Sequence, residues 1–148
     1  MTVTFSKIGV VGAGAMGRGI AQIAAQAGSD VLLLDNQPGA AQRGLEAITA
    51  QWAKLQEKGK LDAATQAALA TRLHAADSIQ ALAGCDLVIE AVVENLEIKR
   101  ALFRELESVV AESAVLATNT SSLSVTAIAA GLARPERFAG YHFFNPVP

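Results

Sequence analysis

The chain reads as short continuous apolar blocks separated by longer stretches in which apolar positions recur every three or four residues. The first block, Lys7-Ile8-Gly9-Val10-Val11, is short and β-branched, as a strand buried on both faces should be. Over residues 15–27 the spacing becomes helical, with Met16, Ile20, Ile23, Ala24 and Ala27 recurring, and Gly28 provides the stop. Val31-Leu32-Leu33-Leu34-Asp35 predicts a second buried strand. Pro38 then opens a long helix that runs through Leu45, Ile48 and Trp52 to about residue 59.

Asp62 is suited to cap another helix reaching about residue 73. The run 85–93 predicts a central strand, followed by an amphipathic helix with Ile98, Leu102, Leu106 and Val109 on one face. Residues 114–118 are again strand-like, 124–132 helical and 138–144 strand-like. Strands that alternate with helices of this length predict βαβ crossovers and a parallel sheet. No repeat, low-complexity tract or internal linker interrupts the pattern, so residues 1–148 read as one domain.

Composition narrows the picture. Hydrophobic residues make up 51% and aromatic ones 5%, so the core must be built from Ala, Val, Ile and Leu. A net charge of −2 without a long basic run argues against nucleic acid as a partner. One cysteine, Cys85, rules out an internal disulfide, and with only His74 and His142 besides, a Cys/His metal cage is not expected. No window is apolar for long enough to span a bilayer, and no signal-peptide pattern opens the chain, so the cytosol is the expected compartment.

Between the first strand and the first helix stands Gly12-Ala13-Gly14-Ala15-Met16-Gly17. A lone glycine triplet says little, but strand, turn and helix are the context that a dinucleotide site requires. Gly12 permits the tight turn, Gly14 lets a pyrophosphate approach the backbone, and Gly17 lets the helix pack against the sheet. The first-turn amides of that helix would then point at phosphate. Asp35 ends the next strand, where a carboxylate accepts hydrogen bonds from ribose hydroxyls and repels a 2′-phosphate. Asn36 and Gln37 follow with no Arg, which favours NAD over NADP. The competing reading is a glycine turn that merely packs, with Asp35 capping a loop. The expected fold is therefore α/β, a Rossmann-type doubly wound, mostly parallel sheet with helices on both faces.

Ligands of such sheets sit at the carboxyl ends of the strands. Three segments arrive there: Glu94 with Lys99 on the following helix, Asn119-Thr120-Ser121-Ser122, and His142 to Asn145. Hydride transfer from an alcohol carbon needs a base for the hydroxyl proton, and histidine suits that task near neutral pH. Ser121 can hydrogen-bond the same oxygen. The plainer alternatives are a serine helix cap, an Asn-Pro turn and a structural histidine beside two phenylalanines.

In order along the chain, Gly12-x-Gly14-x-Met16-Gly17, Glu90-Ala91-Val92-Val93-Glu94-Asn95, Asn119-Thr120-Ser121-Ser122-Leu123 and His142-Phe143-Phe144-Asn145-Pro146 resemble the NAD-binding domain of 3-hydroxyacyl-CoA dehydrogenases, including 3-hydroxybutyryl-CoA dehydrogenases. The similarity covers the whole chain. It implies that His142 is the general base for oxidation of an (S)-3-hydroxyl, that Ser121 binds that oxygen, and that Glu94, Lys99 and Asn145 contact NAD. It also implies that Lys54 and Lys58 meet the phosphates of an acyl-CoA substrate; the alternative is a solvated helix end, with Lys60, whose cations offset the helix dipole.

The resemblance further implies parts that these residues do not include. They are a glutamate beyond the histidine that orients the imidazole, and a C-terminal helical domain that shapes the acyl pocket and forms a homodimer. The sequence is thus expected to be the N-terminal half of a dehydrogenase, with Met1 close to the protein's own start, and to bind NAD(H) while turning over slowly alone. Two alternatives stay open. One is a non-catalytic dinucleotide-binding module, against which His142 and Ser121 both stand. The other is a 3-hydroxyisobutyrate or 6-phosphogluconate type of dehydrogenase, whose lysine-centred site the last two motifs do not match.

Overall fold

A computed structural model describes residues 5–120 and 122–141. In chain order the elements are β1 (Lys7–Val11), α1 (Ala15–Gln26), β2 (Asp30–Leu34), α2 (Ala40–Glu57), α3 (Ala63–Ala70), β3 (Leu73–Ala75), β4 (Leu87–Glu90), α4 (Leu96–Val109), β5 (Val115–Thr118), α5 (Ser122–Ala129) and β6 (Phe138–Gly140). Single 3-10 turns, Ile79–Leu82 and Pro135–Arg137, precede β4 and β6.

The described strands form one sheet in the order β3-β2-β1-β4-β5-β6, and every neighbouring pair is parallel. That is the doubly wound order, with the switch between β1 and β4. From β1 the chain winds outward through β2 to the β3 edge. It then returns to β1's other side and winds out again through β5 to β6.

Period-two alternation divides the core between two faces. Ile8, Val10, Val31, Leu33, Leu87 and Ile89 pack under α1, α2 and α3, against Ile20, Ile48 and the fully buried Trp52. Val11, Val88 and Leu116 face the other way, against Phe103, Leu106 and Ile128 of α4 and α5. The Phe103 ring meets Phe138 edge to face at 4.8 Å, which ties α4 to the β6 edge. Among the described residues no helix is long and apolar enough to cross a membrane.

Three expectations need correction. The helix predicted to reach about residue 73 ends at Ala70, and β3 follows. A three-residue edge strand with only Leu73 buried is too short to show alternation. The strand expected over 85–93 is four residues long: Cys85 sits in the turn before it, its amide bonded to the Leu82 carbonyl at 3.0 Å. Residues 91–93 leave the sheet as a loop on which Val93 is 67% exposed.

On α4 the inward stripe is Lys99, Phe103 and Leu106, and Ile98 is 49% exposed. Burial of Lys99 in an ion-paired site turns the helix about one position from the purely apolar expectation. Asp62 does cap its helix, accepting from the Thr65 amide at 2.7 Å. The strand expected over 138–144 begins as predicted at Phe138; its part from 142 onward lies outside the described residues.

Candidate functional site

At the carboxyl ends of β1, β2 and β4 lies a cleft of about 560 Å³, lined by the glycine turn, Asp35 and the loop that follows β4. Steric demands fix the turn. Gly12 has φ +111°, and a Cβ there would lie 2.5 Å from the Ala91 carbonyl oxygen. A Cβ on Gly17 would lie 1.7 Å from the Gly12 oxygen, so only glycine lets α1 start this close to β1.

Gly14 differs from both. A Cβ there would meet nothing within 4 Å, so its bareness serves the cleft and not the packing. Gly14 is also the N-cap of α1, and no side chain caps this helix. No side chain therefore satisfies the first-turn amides, and Gly14, on the cleft lining, brings the positive end of the helix dipole to it. Those features fit a pyrophosphate.

Asp35 stands at the end of β2. One carboxylate oxygen accepts from the Ala13 amide at 2.8 Å and the other from the Gln37 amide at 2.9 Å. A carboxylate has about four acceptor positions, so two remain for ribose hydroxyls. Asp35 thus also clamps the glycine turn to β2, a role that spacing alone does not reveal. Arg18 and Arg43 line the same cleft. Counting residues after Asp35 shows no cation, because α2 has to fold before Arg43 returns to the cleft.

A second polar centre lies beyond the switch point, at the ends of β4 and β5. Lys99 is 1% exposed, and its ammonium lies 2.7 Å from Glu90 Oε2 and 3.0 Å from Glu94 Oε1. Glu90, fully buried, also accepts from the Val92 amide at 2.7 Å and from the Thr118 hydroxyl. Glu94 Oε2 accepts from the Thr120 hydroxyl at 2.6 Å. That bond, with Lys99 adding to it and burial opposing, holds the Glu94 carboxyl below the ordinary carboxylate range.

Of the residues predicted from sequence, Gly12, Ala13, Gly14 and Asp35 line one cleft, with Ala15, Met16 and Gly17 opening α1 beside it. Glu94 and Lys99 meet one another, but Lys99 lies beneath the surface with its ammonium engaged by two carboxylates. Lys54 and Lys58 are exposed at the C-terminal end of α2, away from the cleft lining. Ser121, His142 and Asn145 lie outside the described residues. Thr120 and Tyr141 mark where two of these segments arrive: the Tyr141 amide donates to the Thr118 carbonyl at 2.9 Å. Sequence reasoning missed Glu90, Thr118 and Thr120 as site residues; a carboxylate inside an apolar run was the available signal for Glu90.

The family described as 3-hydroxyacyl-CoA dehydrogenase, NAD binding domain, matches residues 7–148. The 3-hydroxybutyryl-CoA dehydrogenase of Bradyrhizobium diazoefficiens is 44% identical over 100% of this chain and 50% of its own length. The 3-hydroxyadipyl-CoA dehydrogenase of Escherichia coli is 47% identical over 100% of this chain and 31% of its own length. A crystal structure of 3-hydroxybutyryl-CoA dehydrogenase from Escherichia coli superposes with TM-score 0.94 at 46% identity, covering 99% of this chain and 31% of that one. The chain thus spans about half the length, or less, of the curated relatives it matches. With its glycine turn, Asp35 and doubly wound sheet, the chain belongs to the NAD-binding domain family of the 3-hydroxyacyl-CoA dehydrogenases.

Proposed function

We propose that this chain is the cofactor half of an (S)-3-hydroxyacyl-CoA dehydrogenase, producing the 3-oxoacyl-CoA with NAD as hydride acceptor. The observation that carries the reading is the family match over residues 7–148, nearly the whole chain. Bound NAD would accept the hydride from the substrate's C3. The chain's own share begins with the phosphates, held by the amides of α1, and the ribose hydroxyls, held by Asp35.

His142 takes the hydroxyl proton as the C3–O bond becomes a carbonyl, and Ser121 hydrogen-bonds that oxygen. Asn145 and Glu94 orient the cofactor, and Lys54 and Lys58 meet the acyl-CoA phosphates. A helical C-terminal domain, as in the family, completes the acyl pocket and forms a homodimer, in a cytosolic setting. These roles rest on the resemblance of the motifs; Thr120 and Tyr141, the described residues next to Ser121 and His142, stand by the carboxyl end of β5.

The test is His142→Gln in a protein that includes the remaining part. Loss of a general base lowers turnover by about 100-fold or more. NADH affinity stays within about twofold. Turnover equal to the parent's removes His142 from the chemistry. NADH binding that falls as steeply as turnover makes it a structural residue.

A further inference from the structure

The carboxylate at the end of β4 is used by nothing in the reaction as proposed, yet it is fully buried and joins the β4–α4 loop, α4 and β5. Glu90 lies at the switch point, opposite Val11 of β1 on one side and Thr118 of β5 on the other. Its main-chain oxygen accepts from the Asn119 amide at 2.9 Å. Its side chain binds the Thr118 hydroxyl, the Val92 amide and the Lys99 ammonium.

Each partner belongs to a segment at the carboxyl ends of β4 and β5, across the switch point from the glycine turn. Val92 opens the loop to Glu94, Lys99 fixes the first turns of α4, and Thr118 leads through Thr120 to Ser121. Lys99 then passes the constraint on to Glu94, and Glu94 to Thr120, at 3.0 and 2.6 Å. A hydrogen-bonded chain therefore runs from Glu90 back to the residue next to Ser121.

We infer that Glu90 is a positioning residue for the nicotinamide half of the cofactor: it fixes the β4–α4 loop and the β5 end in one register. This deepens the NAD-binding reading and rests on it. The reasons are physical. A buried carboxylate is costly unless every lone pair is directed at a donor, and Glu90 has donors from three separate segments. Were it only filling the core, a leucine would pack between β1 and β5 without the penalty. The charge is useful because it makes the β4–α4 loop, the start of α4 and the end of β5 share one arrangement. The adenosine half, built from the glycine turn and Asp35, makes none of these bonds.

The test exploits that separation. Glu90→Gln keeps the shape and removes the charge, and two ligands are titrated into the chain. NADH spans both halves of the site, whereas AMP occupies only the adenosine half. We expect NADH to bind about tenfold more weakly, the loss of one charge-assisted hydrogen bond, with AMP unchanged.

Equal affinity for NADH in parent and variant overturns the inference, and so does a parallel loss of both ligands, which marks a general structural role. Failure of the parent to bind NADH at all overturns the underlying cofactor reading instead. If Glu90→Gln does not fold, Thr118→Val removes one arm of the network while leaving every charge paired. The same split between NADH and AMP is required of it; a Thr118→Val protein that binds both ligands like the parent overturns the inference.

Discussion

Around the β1–α1 turn, the cleft is shaped by side chains that are missing. Around the β4–α4 turn, it is shaped by charges that are buried. In the first region the determinants are main-chain atoms: a Gly12 carbonyl that leaves no room for a Cβ on Gly17, a helix N-terminus at Gly14 that no side chain caps, and two amides that clasp a carboxylate. In the second, Glu90, Lys99, Glu94, Thr118 and Thr120 hold one another through side chains. Main-chain geometry of this kind tolerates either an intact turn or none, whereas a side-chain network can be weakened in steps. The glycine-turn half is therefore expected to fail all at once, and the half built on the charge network by degrees.

The sharpest way to break that contrast is a pair of one-methyl changes three residues apart. Gly17→Ala forces a Cβ to within 1.7 Å of a main-chain oxygen, so α1 has to leave β1. We expect a loss of more than about 4 kcal/mol in urea unfolding, beyond the usual range for a point mutant. Gly14→Ala meets no protein atom within 4 Å and keeps stability within about 0.5 kcal/mol. We nevertheless expect it to weaken NADH binding, because the added methyl takes the space that the proposed reading gives to the pyrophosphate. Equal stability of the two variants would remove the steric account of the turn.

Next in size is Lys99→Met, which leaves Glu90 charged and unpaired where neither side chain sees solvent. Breaking such a pair costs about 3 kcal/mol. Adding Glu90→Gln to that variant should recover much of the loss, since no charge is then stranded. A cost for Lys99→Met below about 1 kcal/mol, the range of exposed pairs, would mean that the cluster is effectively wet.

The two regions also differ in how far the sequence discloses them. Steric rules act over a few residues, so the strand, glycine turn, helix and Asp35 could be read in order, and the structure keeps them in place. The charge network depends on contacts across 28 residues between Glu90 and Thr118 and 26 between Glu94 and Thr120. Those partners become visible only when the register Glu90–Thr118 in the β4–β5 pair is known. The same gap explains the misread face of α4: apolar spacing pointed to Ile98, but a paired lysine occupies the inner position. Arg43 reached the cleft unannounced because an entire helix start separates it from Asp35.

A third, smaller effect tests whether Asp35 alone sets the preference for NAD. Asp35→Asn removes the charge that repels a 2′-phosphate and leaves Arg18 and Arg43 on the cleft wall. NADH should bind roughly tenfold more weakly, as one charge-assisted hydrogen bond is lost, and NADPH should gain relative to it. Competitive titration of the two cofactors decides the matter. An unchanged ratio would assign the preference to the shape of the glycine turn, and the first region would then owe nothing to charge.

The smallest effect lies in the pH dependence of the second region. The Thr120 hydroxyl, with help from Lys99, holds the Glu94 carboxyl below its usual value of 4.5, so the folded state binds that proton less readily than the unfolded one. The stability this confers is complete above the ordinary carboxylate value and is lost as pH falls through the lower folded value. Asp86 is also held low, by the Ser6 hydroxyl and the Lys7 amide, so Glu94→Gln should reduce the acid slope without abolishing it. Two-thirds of the Glu94 side chain is exposed, which keeps the difference modest. Urea unfolding midpoints for parent and variant should differ at neutral pH and converge in acid, once pH has fallen through the lowered folded-state value of Glu94. A gap that persists into acid would mean that Thr120 grips the neutral side chain as firmly as the charged one, and the network would then be held by hydrogen-bond geometry in place of charge.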